Sequence, residues 1–228
     1  NMDLPTFEPA PWIMIALVIA SSFDRCLGRR AAQGKIMNTP AHLIFGMAAF
    51  GNPMWRAVTA AAFAGAVIPD LSLYLLAGWE LLIEGTDPNI VFGQMYYSES
   101  WQAVFRMDNS FVLWGLVLVI GLMWRSPVMI ALCGAASLHL ALDFPLHNDD
   151  ARAHFWPLTN WKFISPVSYW DPKYYGYIAG PIEVGLVIAV TIYAWRKFTS
   201  WVMRSAFTAL AMLQVVPFIA FALMFDRA

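Results

Sequence analysis

Long apolar runs, broken by short polar segments, follow one another along the chain. They cover residues 12–23, 41–50, 57–79, 111–124, 128–144, 178–195 and 201–225. A helix that crosses a bilayer needs roughly 20 apolar residues, whereas the run 41–50 would form a helix only about 15 Å long. Small residues within the runs, such as Gly46 and Gly65, are expected to permit close helix packing. The pattern predicts an all-α integral membrane protein with about six membrane helices and one half-length helical hairpin arm.

The half-length run ends at a Gly-Asn-Pro turn, residues 51–53, after which the chain returns in a longer apolar run. A helical hairpin there would bring His42, in the first turn of the first arm, back towards Asp70 in the second arm. Thr39 suits the N-cap of the first arm, because its side-chain oxygen can accept a hydrogen bond from a free backbone N–H. Pro69 lacks a backbone donor and frees helical carbonyl groups that polar partners must satisfy.

The composition excludes a soluble domain, because 60% of the residues are hydrophobic, 13% are charged and the mean hydropathy is +0.57. With a net charge of -1, the chain has no excess of basic residues of the kind that binds nucleic acid. The two cysteines, Cys26 and Cys133, suggest neither a disulfide framework nor a thiolate metal site. Membrane lipid is therefore an expected partner, and nucleic acid is not.

Residues 1–36 form a segment of their own, in which an apolar run is followed by a basic loop. Asp3 and Glu8 stand where a signal peptide would carry basic residues, so we interpret the run as a retained membrane helix. Met37 opens a stretch that resembles a natural start, which would make residues 1–36 an extension. No internal repeat is evident, so residues 37–228 are predicted to form a single polytopic helical domain.

Short basic loops indicate how the chain is oriented in the membrane. The loops at Arg56, at Arg125 and at residues 196–204 would share one membrane face if the helices alternate. The positive-inside rule makes that face cytoplasmic and puts the His139 end, with the long acidic and aromatic loops, outside. The basic loop at residues 25–35 favours the opposite orientation.

Three of the four histidines lie near one end of a single apolar run. His139, Asp143 and His147 are spaced i, i+4 and i+8, so on a continuous helix they would share one face and could bind one ion. Pro145 interrupts that helix, which places His147 just past its end. His147 and His154 are therefore weaker candidates than the pair of His139 and Asp143.

These segments together predict a metal site. The candidate ligands are His42, Asp70, His139, Asp143 and His147. Imidazoles and carboxylates suit zinc or another divalent transition metal, which would lower the pKa of a bound water towards 7 and generate a hydroxide that attacks an ester or phosphoester. Asp149 and Asp150 are candidates for the proton acceptor. Alternatively, each histidine is a polar group at the membrane interface and the two acids are solvated, although ionisable groups in apolar helices are costly and usually functional.

Glu183 lies inside an apolar run, where a lone carboxylate would be costly in lipid. One interpretation gives it a partner, which could be Arg152, a site histidine or a metal. The other places it close enough to the interface to be hydrated. The sequence leaves both open.

Four short motifs resemble those of one known family. They are PAHL around His42, PD at Pro69 and Asp70, HLALD at 139–143 and WPL at 156–158. In this order, over roughly residues 37–195, they resemble the membrane-bound metal-dependent hydrolases of bacterial inner membranes. The resemblance implies metal ligands at His42, Asp70, His139 and Asp143.

The chain departs from the family pattern in two places. Leu71 and Ser72 follow Asp70 where many members carry a second acid, and an extra histidine before the last motif is not evident. Both differences reduce the number of ligands. Members with a MNTPAHLIFG-type opening sometimes carry a cobalamin-biosynthesis label, but no residue feature here supports corrinoid chemistry.

The leading hypothesis is a multi-pass hydrolase of the bacterial inner membrane that cleaves an ester or phosphoester of an amphiphilic substrate, with zinc as the favoured cofactor. A second hypothesis is a non-catalytic accessory subunit of a larger respiratory or photosynthetic membrane complex. A third is ligation of a haem or chlorophyll-type pigment by His139 or another helix histidine. Stoichiometric metal, stable co-purification with a complex, and a visible absorption band would distinguish the three.

Overall fold

The fold is given by a computed structural model that describes residues 39–169 and 171–225. This part of the chain is helical and contains no β-strand, only an isolated bridge between Asn52 and Trp55. The helices are α1 (Thr39–Phe50), α2 (Arg56–Trp79), α3 (Pro88–Gly93), α4 (Glu99–Asp108), α5 (Phe111–Met123), α6 (Pro127–Asp143), α7 (Gly176–Lys197) and α8 (Trp201–Phe225). A π-helical turn, Glu80–Glu84, continues α2. The all-helical prediction is confirmed for these residues.

Three helical stretches are long and apolar enough to cross a membrane, which identifies a membrane protein. They are Arg56–Glu84, Glu99–Met123 and Gly176–Lys197. Three further apolar helices, Thr39–Phe50, Pro127–Asp143 and Trp201–Val216, fall in the range of 10–17 residues. The described residues thus provide three candidate spans, and the prediction of about six membrane helices is not confirmed. The predicted first membrane helix and the whole segment 1–36 lie outside the described residues.

Helices α2 and α6 pack extensively on each other, and α1 packs against both. Where α2 meets α6, a Cβ at Gly65 would overlap the backbone of Leu132. In α1, a Cβ at Gly46 would lie 2.8 Å from the Cβ of Ala66 and 3.3 Å from that of Ala135. The expectation that these two glycines permit close packing is confirmed. Helices α1, α2 and α6 therefore form the core that carries the polar side chains described below.

Helices α1 and α2 form the predicted helical hairpin. Side-chain hydrogen bonds hold its turn, since Met54 N donates to Asn52 Oδ1 at 2.9 Å and Asn52 N donates to Thr59 Oγ1 at 3.0 Å. The start of α1 lies beside the second half of α2, where the Thr39 hydroxyl donates to Asp70 Oδ2 at 2.6 Å. Thr39, which is predicted as the N-cap, is the first residue of α1. Its hydroxyl contacts Asp70 because a buried carboxylate needs a donor.

A layer of short helices and loops covers the end of the bundle where α1 begins and α6 ends. It comprises the segments between α2 and α5 and between α6 and α7. In the first segment, Asn109 Nδ2 donates to Pro69 O at 2.9 Å, so α4 is tied to the middle of α2. In the second, the carbonyl of His154 accepts from Phe111 N at 2.8 Å. These bonds hold the layer over the buried polar groups.

Candidate metal centre

His139 is the most deeply buried of the candidate ligands. It lies on α6 with 1% of its surface exposed, and its Nδ1 is 2.8 Å from the carbonyl oxygen of Ala66. A carbonyl can only accept, so Nδ1 carries a hydrogen, and Nε2 is the atom that can offer a lone pair to a metal or carry a second proton. A backbone carbonyl that fixes the tautomer of an imidazole in this way is typical of metal-binding histidines.

The Nε2 atom of His139 faces two carboxylates. It lies 3.1 Å from Asp143 Oδ2 and 3.6 Å from Asp70 Oδ1. Despite these short distances, it makes no hydrogen bond of normal geometry to any described residue. A lone pair and two anionic oxygens repel one another strongly where water is excluded, so a cation must lie between them. That cation is either a proton on Nε2 or a metal ion.

His42 joins the site from the first turn of α1. Its ring stacks on that of His139 with centroids 3.8 Å apart and planes inclined by 17°, and its Nε2 is 2.9 Å from Asp143 Oδ1. Asp143 therefore offers one oxygen to each imidazole. His42, His139 and Asp143, which we call the His–Asp cluster, have donor atoms within 4.8 Å of one another and could hold one metal ion. Two nitrogens and one oxygen would leave a fourth tetrahedral position open, as in catalytic zinc sites.

Asp70 approaches the His–Asp cluster from α2. Its Oδ1 is the atom near His139, whereas its Oδ2 accepts from the Thr39 hydroxyl at 2.6 Å. The Thr39 oxygen is also 2.5 Å from the hydroxyl oxygen of Tyr74. The hydrogen bond from Thr39 fixes Oδ2 of Asp70, so that Oδ1 faces His139. Asp70 can therefore serve either as a further ligand or as an outer partner that orients His139.

His147 and Asp150 extend the site beyond α6. The helix ends at Asp143, so the prediction that His147 lies past the helix end is confirmed. His147 Nε2 is 3.5 Å from Asp143 Oδ2, and its Nδ1 is 2.8 Å from Asp150 Oδ2. Burial disfavours the charged ring, but the carboxylates of Asp143 and Asp150 outweigh burial and raise the pKa of His147 to about 10. His147 thus connects a candidate ligand to a second carboxylate.

Asp149 and His154 are not brought to the His–Asp cluster. Asp149 is exposed, and its Oδ2 lies 3.5 Å from the hydroxyl of Tyr97. His154 donates from Nδ1 to the carbonyl of Asn109 at 2.9 Å. Burial lowers the pKa of His154 to about 4, so its ring is neutral. Of the two predicted proton acceptors, only Asp150 contacts a histidine of the site among the described residues.

A cavity of about 400 Å³ lies beside the His–Asp cluster. His42 and Asp143 form a polar part of its wall, and Tyr169 and Tyr175 also line it. The remaining lining is Glu183 and the apolar residues Phe45, Leu142, Leu146, Val167, Ile178, Ala179, Ile182 and Leu186. The site is thus a small, mostly apolar chamber in which candidate metal ligands are accessible.

Glu183 lies in the cavity wall and has a neighbour that the sequence does not indicate. Its Oε1 accepts from Gln214 Nε2 of α8 at 3.2 Å. Arg152, one of the expected partners, has its guanidinium carbon 4.1 Å from the ring centroid of Phe105. Glu183 lines the same cavity as His42 and Asp143, and its pairing with Arg152, a site histidine or a metal stays a prediction.

Three residues of the site are not identified by sequence reasoning as site residues. Thr39 and Tyr74 each lie three or four residues from a candidate ligand on the same helix, and that spacing is a signal that could have indicated them. Tyr169 lies in the loop between α6 and α7, and its ring contacts that of His147 edge-on with centroids 5.2 Å apart. No sequence pattern indicates this last contact.

No family model, curated protein or solved structure matches this chain. The resemblance to membrane-bound metal-dependent hydrolases therefore stays a prediction from short motifs. What supports a function is the geometry of the His–Asp cluster, the cavity beside it and the apolar helices that carry both.

Proposed function

We propose that the protein is a multi-pass, metal-dependent hydrolase of the bacterial inner membrane that cleaves an ester or phosphoester bond of an amphiphile. One observation carries the proposal: Nε2 of His139, the nitrogen left free to bind a metal, lies 3.1 and 3.6 Å from two carboxylate oxygens. His42 stacks beside it and shares Asp143. Nitrogen and oxygen donors that converge in this way suit a divalent cation.

Zinc is the cation that we propose. Imidazole nitrogen and carboxylate oxygen are among its usual ligands, at about 2.0–2.2 Å in a tetrahedral arrangement. Donor atoms that lie within 4.8 Å of one another can reach a common ion at such distances. Magnesium and calcium prefer oxygen ligands, so two imidazoles count against them. When bound, zinc would supply a water whose pKa is about 7 and would polarise the oxygen of the scissile group.

The chain's own residues would orient the site and move the proton. The carbonyl of Ala66 keeps His139 in the tautomer that presents Nε2. His147 lies next to Asp143, and Asp150 orients its other nitrogen at 2.8 Å. A histidine that neighbouring carboxylates keep protonated can donate a proton to a leaving group. Asp150 thus acts through His147, not as the direct proton acceptor.

The cavity favours an amphiphilic substrate. Its volume of about 400 Å³ falls within the roughly 300–1,000 Å³ of small-molecule sites. Ile182 and Leu186 line it from α7, a helix long enough to cross the membrane, and are 58% and 50% exposed. Because these residues face both the cavity and the outside, an apolar chain could enter from the lipid while its ester lies beside the His–Asp cluster.

The geometry favours a small cation over a pigment. The ring of His139 is 1% exposed and its Nε2 faces carboxylates, so a planar macrocycle could not reach it. The accessory-subunit hypothesis would gain support from stable co-purification with a larger membrane complex in mild detergent.

A metal-dependent hydrolysis assay tests the proposed function. Protein in detergent is stripped with a chelator, reloaded with zinc and given p-nitrophenyl decanoate or bis(p-nitrophenyl) phosphate. We expect cleavage of at least one ester, a requirement for metal, and loss of cleavage in Asp143→Asn. Asp150→Asn should lower kcat by roughly 100-fold or more, whereas Asp149→Asn, the exposed neighbour, serves as the matched control. Zinc-loaded wild-type protein that cleaves neither ester would overturn the proposal.

A further inference from the structure

The charges in the cavity wall bear on the class of substrate. Two of the described lining residues, Asp143 and Glu183, are carboxylates, and none of them is a lysine or an arginine. Arg152 is close to the candidate site residues in the sequence, and it is buried. Its guanidinium, however, lies against the rings of Tyr96 and Phe105 and is not in the cavity wall. The described wall therefore offers no cationic side chain to an anionic ligand.

A bound divalent cation would not give the site a net positive charge. The carboxylates of Asp70 and Asp143 already match its charge, since the histidines bind a metal as neutral ligands. Glu183 adds a negative charge whenever it is ionised. A phosphate group would thus lose its hydration in the cavity without gaining a cationic side chain, which is costly. An uncharged ester would carry no such cost.

Glu183 has a hydrogen-bonded position in the cavity wall. It lies on α7, and the Nε2 of Gln214 donates to its Oε1 at 3.2 Å. Ionisable residues inside apolar membrane helices are costly, and they commonly mark functional sites. Because Glu183 lines the same cavity as His42 and Asp143, the head of a bound amphiphile would lie near all three.

We propose that the cavity binds a single-chain amphiphile whose reacting group is an uncharged carboxylic ester, and that Glu183, when ionised, selects against phosphoesters. This inference rests on the proposed hydrolase function. A volume of about 400 Å³ lies near the lower end of small-molecule sites, which favours one alkyl chain over two. The apolar lining from Leu142, Leu146 and Ile182 would contact that chain.

The reaction is an ordinary ester hydrolysis. The oxygen of water forms a bond to the acyl carbon, and the bond between that carbon and the alkoxy oxygen breaks. The alcohol leaves with one proton of the water, and the fatty acid releases the other. His147, paired with Asp150, is placed to donate a proton to the leaving oxygen and to recover one from the water afterwards.

Ligand binding tests the selectivity without relying on turnover. Two ligands of equal chain length, decyl methyl ketone as an unreactive ester mimic and decyl phosphate, are titrated into zinc-loaded protein in detergent at about pH 9, so that the Glu183 carboxyl is ionised. The thermal unfolding midpoint reports binding. We expect the ketone to bind at least about tenfold more tightly, which corresponds to about 1.4 kcal/mol. Glu183→Gln, which keeps the shape and the acceptor for Gln214, should reduce that ratio severalfold. Glu84→Gln removes an exposed carboxylate at the end of the π-helical turn and should leave the ratio unchanged.

Hydrolysis rates complete the test. We expect zinc-loaded wild-type protein to cleave p-nitrophenyl decanoate and to leave bis(p-nitrophenyl) phosphate largely intact. Faster cleavage of the phosphoester, tighter binding of decyl phosphate, or an unchanged ratio in Glu183→Gln would overturn this inference while the hydrolase function stands. Cleavage of neither ester by protein with bound zinc would overturn the hydrolase function, and the substrate assignment with it.

Discussion

Thr39→Val tests whether the orientation of Asp70 matters to the metal centre. The substitution keeps the branched shape but removes the hydroxyl that donates to Asp70 Oδ2 at 2.6 Å and lies 2.5 Å from the Tyr74 hydroxyl. Thr39 is 9% exposed, so water has little access to replace the lost donor. Without that bond, the Asp70 side chain is free to rotate and move Oδ1 away from His139.

Two effects should follow from Thr39→Val. A hydrogen bond to a charged group contributes about 1.5–3 kcal/mol, so we expect the free energy of unfolding to fall by about that amount. Loss of an outer partner typically lowers the affinity of a metal site by roughly 10- to 100-fold, or about 1.4–2.8 kcal/mol. We expect zinc to bind the variant more weakly by a factor in that range.

Competition with a chelating dye measures the zinc affinity, and thermal unfolding of the zinc-free protein measures the stability. Thr208→Val is the matched control on α8, where the threonine hydroxyl donates to Arg204 O at 2.9 Å and accepts from Trp195 Nε1 at 3.1 Å. This control should lose stability and keep wild-type zinc affinity. A folded Thr39→Val protein that binds zinc as tightly as wild type would refute the part assigned to Asp70.

Three further changes give measurable outcomes. Gly65→Val should destabilise the protein by about 1–3 kcal/mol or more, because its side chain would overlap the Leu132 backbone. Gly185→Ala, which has open space around it, should not, and equal thermal midpoints of the two variants would contradict the packing described. His154 has a pKa of about 4 in the fold against 6.5 ordinarily, so the unfolded chain binds its proton first as the pH falls. Its contribution to stability is complete above pH 6.5 and should fall by about 2 kcal/mol between about pH 7 and pH 5, measured against His154→Asn across the same range. A chelator should lower the thermal midpoint of zinc-loaded wild-type protein and leave that of Asp143→Asn unchanged.

The helical hairpin could be predicted because chain length and turn residues constrain it locally. A helix as short as α1, followed by a Gly-Asn-Pro turn, has to return along α2. The register between the helices could not be predicted, since it depends on how closely Gly46 and Gly65 let the backbones approach. In that register Thr39 contacts Asp70, while His42 contacts Asp143 of α6.

The loops show a similar division between local and tertiary information. Pro145 allows the prediction that His147 leaves the helix, because the effect of proline on its own helix is local. Asp149 and Asp150 are neighbours with identical side chains, and only the loop conformation turns one to Tyr97 and the other to His147. Sequence alone therefore predicts two equivalent proton acceptors where the fold distinguishes them.

The number and length of the spans depend on stretches that charged residues make difficult to identify from the sequence. The stretch Glu99–Met123 continues the apolar run towards the N-terminus through α4. The hydropathy pattern does not reveal that extension, because it contains the charged residues Glu99, Arg106 and Asp108. Arg106 and Glu99 pair with each other, so part of their charge is compensated within the helix.

The metal content of the purified protein tests the metal centre most directly. Wild-type protein and the variants His139→Ala and Asp143→Asn are supplied with zinc in detergent, freed of excess metal and measured by elemental mass spectrometry, with Asp149→Asn as the folded control. We expect one zinc ion per chain in the wild type and the control, and loss of that ion in both cluster variants. Folded wild-type protein that retains no divalent metal after this treatment would show that a proton, not a metal ion, lies between His139 and the carboxylates.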